Sequence, residues 1–266
     1  MSFTRVDDGG SVPKETDMDV KDKVAIVTGG NGGLGRRICA ALAAAGCHVA
    51  VVCARDMAGA GEVAATLRAE GTRAQPFACD VSDPAQVETM VNAVGEHFGR
   101  IDILVNDAAY NKWIPFTDLD ALGLDDWQKI LSVNLTGPML CMKAVVPHMR
   151  RQGGGRIVNI ASVAGLAPSG SSIPYAVSKA GLIHLTRCMA VGLAPDILVN
   201  CIAPGYLEDT RATSNLDPAY RQRSRDGALL KRAADKDDVA DQVVAFCRTD
   251  SITGQTLAID AGRVFH

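Results

Sequence analysis

Valine- and isoleucine-rich runs alternate with amphipathic or alanine-rich runs along almost the whole chain. Lys23 to Thr28, His48 to Ala54, Arg73 to Cys79, Ile101 to Asn106, Arg156 to Ala161, Leu198 to Ala203 and Thr256 to Asp260 read as strands. Between them, helices are predicted over 34–45, 58–70, 84–98, 124–151, from Tyr175 to about 194, and 237–248. Short apolar runs suit strands buried on both faces, and the longer periodic stretches suit helices packed on them. Pro138 and Pro147 predict kinks in the helix over 124–151. The alternation predicts an α/β domain: a doubly wound parallel sheet of about seven strands, with helices on both faces and right-handed crossovers. Ligands in such a sheet bind beyond the carboxyl ends of the strands.

The apolar stretch Ile38 to Ala54 has the length of a short membrane span, but Gly46 and His48 interrupt it where alanine gives way to valine, so it reads as a helix followed by a strand. Residues 1–20 are polar, without a basic start or an apolar segment, and are expected to form a tail; 21–266 form one domain. With 266 residues, 47% of them hydrophobic, that domain can bury a large core. A net charge of -3 offers no basic surface for phosphate backbones, so a small-molecule partner is expected rather than nucleic acid or a membrane. Eight cysteines fall mostly inside apolar runs with no C-x-x-C pair and read as reduced core residues of a cytoplasmic protein. The five histidines, His184 among them, show no ligand spacing, and no metal site is expected.

Thr28-Gly29-Gly30-Asn31-Gly32-Gly33-Leu34-Gly35 follows the first strand and runs into the first helix. Glycines there permit a tight turn and close approach of backbone to a pyrophosphate, while the helix N-terminus offers free N–H groups. The spacing differs from G-x-G-x-x-G, but the position at the head of a βαβ unit points to dinucleotide binding. At the end of the second strand the chain reads Cys53-Ala54-Arg55-Asp56. Ala54 cannot accept the hydroxyls of an NAD ribose, whereas Arg55 suits a 2′-phosphate, which favours NADP. NAD stays open if Asp56 reaches the ribose instead.

Tyr175 and Lys179 stand four positions apart on a predicted helix, thirteen and more positions after Ser162. Residues i and i+4 share one helix face, so phenol and ammonium can point into one cleft. A neighbouring cation favours the phenolate and is expected to bring the tyrosine down from its ordinary value of ~10 toward a working pH.

The glycine turn, Ser162 and Tyr175-x-x-x-Lys179, in this order and spacing, resemble the short-chain dehydrogenase/reductase family in its single-domain carbonyl-reductase and ketoacyl-reductase type, over about Lys21 to Gly262. The resemblance implies a Rossmann-like fold and a catalytic set of Asn134, Ser162, Tyr175 and Lys179, with Asn134 holding a water in a proton relay. It implies cofactor contacts from Gly29, Asn31, Gly33, Leu34 and Gly35 in the turn, from Arg55, from Asp80 and Val81 near the adenine, and from Asn106. Tyr175, Lys179, Pro204 and Gly205 would border the nicotinamide and its ribose. Hydride transfer between NADP(H) and a carbonyl or secondary alcohol follows as the expected activity, in a homotetramer. Three departures stand out: Asn106-Asp107-Ala108-Ala109 where the family has Asn-Asn-Ala-Gly, Asp260-Ala261-Gly262 where it has Asp-Gly-Gly, and a threonine one residue late at Thr210.

The polar segment 206–232 is longer than most connections and is expected to be a lid. Trp113, Ile114, Leu166, Ile173 and Tyr206 are candidates for an apolar substrate pocket or ordinary packing. An NAD-dependent alcohol, polyol or sterol dehydrogenase remains an alternative, and a non-catalytic dinucleotide sensor a remote one, since a binding module needs no acid/base tyrosine.

Overall fold

The first strand, β1 (Val24–Thr28), reads Val-Ala-Ile-Val-Thr and buries every residue, as a strand covered on both faces must. The computed structural model describes residues 19–214 and 216–265. After β1 come α1 (Gly35–Ala44), β2 (His48–Cys53), α2 (Met57–Ala69), β3 (Ala74–Ala78), α3 (Pro84–Phe98) and β4 (Ile103–Asn106). Then follow α4 (Leu124–Leu131), α5 (Gly137–Arg151), β5 (Gly155–Ile160), α6 (Ile173–Leu193) and β6 (Ile197–Pro204). The chain continues through α7 (Arg211–Ser214), α8 (Pro218–Asp226), α9 (Lys236–Arg248) and β7 (Thr256–Ile259).

The sheet has seven strands in the order β3-β2-β1-β4-β5-β6-β7, and every pairing is parallel. Successive residues of a strand point to opposite faces, and each face has its own core. Ala25 and Val27 join Ile38 and Leu42 of α1 and Val239 and Val243 of α9 in one layer. Val24 and Ile26 join Met90 and Val94 of α3 and Met142 and Met149 of α5 in the other. Each fully buried side chain of this kind contributes about 1.5–3 kcal/mol. The chain winds outward from β1 to β3 and then returns to β4, which leaves a crevice at the carboxyl ends of β1 and β4.

Local signals set the sharpest boundaries. Asp83 caps α3 by accepting from Ala85 and Gln86 N–H, Pro84 occupies its first turn, and Gly99 ends it in the left-handed region at φ 82. The stretch 124–151 is one continuous helix, as expected, with a π turn at Ser132–Thr136 between α4 and α5, where Gly137 N donates to Ser132 O, while Pro147 sits inside α5 without interrupting it. The π turn falls ahead of Pro138, because a residue with no N–H cannot donate to the Asn134 carbonyl four positions back. This stretch is long and apolar enough to cross a membrane by length and composition, yet half of its apolar window is buried within the fold.

The expected tail, 1–20, lies outside the described residues except for Asp19 and Val20. Val20 belongs to the core at 1% exposure, and its carbonyl accepts from the Cys47 thiol at 3.2 Å. The cysteine reading holds for seven of eight positions: all eight are free, and Cys188 alone is exposed.

Candidate active site

The glycine turn closes on itself at the end of β1. Gly29 has φ 69, open to glycine at little cost, and a Cβ on Gly35 would collide with the Gly29 carbonyl oxygen. Thr28 Oγ1 accepts from the N–H of both Asp107 and Ala108 at 3.1 Å, tying this turn to the end of β4. The Ala109 departure is absorbed there, since Ala109 keeps a negative φ.

A cavity of about 330 Å³ runs over these strand ends. At one end it is bordered by Gly29, Asn31, Gly33 and Leu34 of the turn and by Arg55 after β2. Asp80 and Val81 line its wall, and Ser162, Tyr175, Lys179, Pro204 and Gly205 its far end. Two expected cofactor residues lie off it. Gly35 stands behind the turn, and Asn106 is buried in the sheet, where its amide donates to Asn159 Oδ1 at 2.8 Å. Asn159 donates in turn to Thr186 Oγ1 at 3.0 Å, so Asn106 anchors an interior polar chain linking β4, β5 and α6 rather than a ligand.

Ser172 caps α6, accepting from Tyr175 N–H, and Pro174 pre-sets its first turn. Tyr175 and Lys179 thus lie one turn apart at the buried start of a 21-residue helix. Ser162, in the extended region just past β5, accepts from Ala164 N–H at 3.1 Å. A smaller cavity of about 70 Å³ meets the larger one at Ser162 and Tyr175 and continues to Tyr206, Leu216, Tyr220 and Arg263. Of the five apolar pocket candidates only Tyr206 lines it. Trp113 packs edge-on to Tyr220 of α8 at 5.3 Å between ring centres, and Ile114 is buried with its N–H on Ser171 O. Leu166 packs against the small core around Leu182, and Ile173 opens α6 outside both cavities.

Asn134 does not turn its side chain toward Lys179. Its Oδ1 accepts from Tyr110 N at 2.8 Å, and its amide donates to Tyr110 O at 2.9 Å and to Ser178 Oγ at 3.1 Å. It therefore braces the loop after β4 against the helical turn that carries Tyr175.

The electrostatics reverse one expectation. Tyr175 is pushed up to about 12, first by burial, with the Ser162 hydroxyl acting downward as a hydrogen-bonding neighbour and the charge of Asp107 acting upward. Burial lowers Lys179 to about 8, against the attraction of Asp107, so the lysine is a weaker cation than the spacing suggested. Asp107 is itself raised by burial to about 7, with Lys179 acting the other way. Its carboxylate lies beside the first turn of α1, where an ideal Cβ on Gly35 would stand 2.9 Å from its Oδ2. Asp80 is lowered chiefly by the Ser82 hydroxyl, 2.6 Å away.

The chain matches the short chain dehydrogenase family over residues 23–221. It belongs to the short-chain dehydrogenase/reductase family. It is 39% identical over 241 residues, covering 90% of this chain and 95% of the relative, to a Streptomyces violaceoruber protein named as ketoacyl reductase 2 of the granaticin polyketide synthase. It is 36% identical to a 3-oxoacyl-[acyl-carrier-protein] reductase of Synechocystis, over 91% of this chain and 97% of that one. The crystal structure of levodione reductase superimposes with a TM-score of 0.85 at 32% identity, covering 91% and 98% of the two chains. The protein is an NAD(P)-dependent oxidoreductase of this family with the Rossmann-like sheet expected of it.

The dinucleotide has a fitting cradle where Gly29, Gly32 and Gly33 of the glycine turn border the cavity that leads from Arg55 to Tyr175 without side chains of their own. Among the described residues no group of three potential metal ligands gathers. Two contributors were not visible in the sequence. Arg211 and Tyr220 reach the cavities from the segment 206–232, and nothing in the spacing marks a contact across such separations.

Proposed function

We propose that the protein transfers a hydride between NADP(H) and a carbonyl or secondary-alcohol substrate. The observation that carries this reading is the position of Ser162 and Tyr175 where the two cavities meet, one bordered by the glycine turn and the other turned toward the lid. Bound there, the nicotinamide supplies hydride to the carbonyl carbon, or accepts it in the reverse direction. Ser162 orients the carbonyl oxygen, and Tyr175 gives that oxygen its proton, leaving a secondary alcohol. Lys179, held by its hydrogen bond to Ile160 O at 2.8 Å, faces the ribose hydroxyls and restores the tyrosine proton. The Asn134 carbonyl, which Pro138 cannot serve as a donor, is the anchor we assign to a water linking Lys179 to solvent.

Preference for NADP rests on the end of β2. Ala54 and Arg55 line the cavity, while the Asp56 carboxylate is engaged by Gly59 N–H, Asn31 Nδ2 and Arg211. A carboxylate so occupied is a poor acceptor for a ribose diol. The working form is proposed to be a cytoplasmic homotetramer, as the family resemblance implies.

Absorbance at the reduced-nicotinamide band, followed with each cofactor against ketones, aldehydes and secondary alcohols, tests the assignment. Oxidation of NADPH by ketones is expected. Activity with NAD alone would transfer the reading to an alcohol dehydrogenase, and tight dinucleotide binding with no turnover across the panel would leave a sensor.

A further inference from the structure

The lid lies against the glycine turn and reaches past it. An ideal Cβ on Gly33 would stand 2.5 Å from the Asp209 carbonyl oxygen, and Asn111 Nδ2 donates to Ala212 O at 2.6 Å. Between these contacts Arg211, the first residue of α7, sends its guanidinium to Asp56 Oδ2 at 2.8 Å, joining residues 155 positions apart. Asp56 follows Arg55 and caps α2 by accepting from Gly59 N at 3.0 Å, and its Oδ2 also accepts from Asn31 Nδ2 at 3.0 Å. Arg211 and Arg55 therefore border the same end of the larger cavity, one from the lid and one from the sheet.

We propose that Arg211 is a specificity-determining residue for a 2′-phosphorylated dinucleotide: Asp56 holds its guanidinium in waiting, and the 2′-phosphate takes it over, fastening the lid more firmly. The proposal rests on the NADP reading above and adds to it a lid residue and a coupling. Three features support it. The Arg211–Asp56 pair is open to water, with side chains 70% and 42% exposed, so it is screened and readily exchanged. A phosphomonoester with up to two charges and three acceptor oxygens attracts a guanidinium more strongly than a single carboxylate does, and it can engage two forks at once. After the exchange Asp56 keeps the Gly59 and Asn31 donors, so no carboxylate is left without partners. A cofactor without the phosphate gives Arg211 nothing better than Asp56 and leaves the lid held no more firmly than before.

Titration of the purified protein with adenosine 2′,5′-bisphosphate and with 5′-AMP isolates the phosphate from the nicotinamide. Trypsin cleavage of the arginine-rich lid segment 211–232 reports how firmly the lid is held. In the wild-type protein the bisphosphate is expected to bind more tightly than 5′-AMP and to slow cleavage. Arg211→Ala is expected to weaken the bisphosphate about tenfold, to change 5′-AMP less than about twofold, and to abolish the protection, with partial recovery in Arg211→Lys. Equal weakening of both ligands would make Arg211 only a latch, and no weakening of either would remove it from the site; each overturns the proposal. A wild-type protein indifferent to the 2′-phosphate would refute the NADP reading itself, and with it this role. A wild-type preference abolished by Arg55→Ala but untouched by Arg211→Ala would refute the lid role alone.

Discussion

Lys179 Nζ lies 5.8 Å from the centre of the Tyr175 ring and donates a 2.8 Å hydrogen bond to the Ile160 carbonyl at the end of β5. The strand thus orients the lysine, and the helix sets its distance from the phenol. Burial raises the tyrosine and lowers the lysine, so the pair without its ligands is poorly charged for proton transfer. A bound cationic nicotinamide would favour the phenolate.

Replacing Tyr175 with Phe removes the proton donor and leaves the cavity shape nearly intact. Turnover is expected to fall by about 10²–10⁴-fold or more with cofactor affinity little changed. Lys179→Ala should harm both. Steady-state kinetics alongside cofactor titration separates the two, and substantial residual turnover in Tyr175→Phe would exclude the role.

Asp107 carries a pH signature. Its folded value, about 7, lies above its ordinary 3.8, so between these limits the folded protein keeps a proton that the unfolded chain has released. The stability this provides is complete below the unfolded value and is lost as pH rises through about 7. Asp107→Asn does not titrate, so relative to wild type it should gain about 2–3 kcal/mol between pH 5 and 8. Urea unfolding at the two pH values measures this, and parallel stabilities would contradict it.

Asn106→Ala would strand the Asn159 amide system inside the sheet. A buried polar group left unpaired costs about 1–3 kcal/mol. Stability should fall by that amount while dinucleotide affinity changes little, since Asn106 lies off the cavity. A selective loss of cofactor affinity at unchanged stability would restore the residue to the binding site.

Ala261 occupies the left-handed region at φ 57, where the first glycine of the family's Asp-Gly-Gly would sit without strain. Asp260 holds this turn by accepting from Gly262 and Val264 N–H at 2.9 and 2.7 Å. Ala261→Gly should therefore stabilise by up to about 1 kcal/mol, read as a higher urea midpoint at unchanged slope.

The alternation of apolar strands and amphipathic helices, the glycine turn ahead of α1, and the Asp83-Pro84 to Gly99 frame of α3 are properties of neighbouring residues. Periodicity and backbone freedom act over a few positions, so the order of elements and the grouping of Ser162, Tyr175 and Lys179 by spacing were determined in the sequence. Contacts over long separations were not. Whether Asn106 meets a ligand or Asn159, whether Arg211 meets Asp56, and whether burial outweighs a lysine's charge at Tyr175 all depend on which elements the sheet order brings together and how much water they exclude. Those are energies of packing and solvation, and only the folded arrangement sets them.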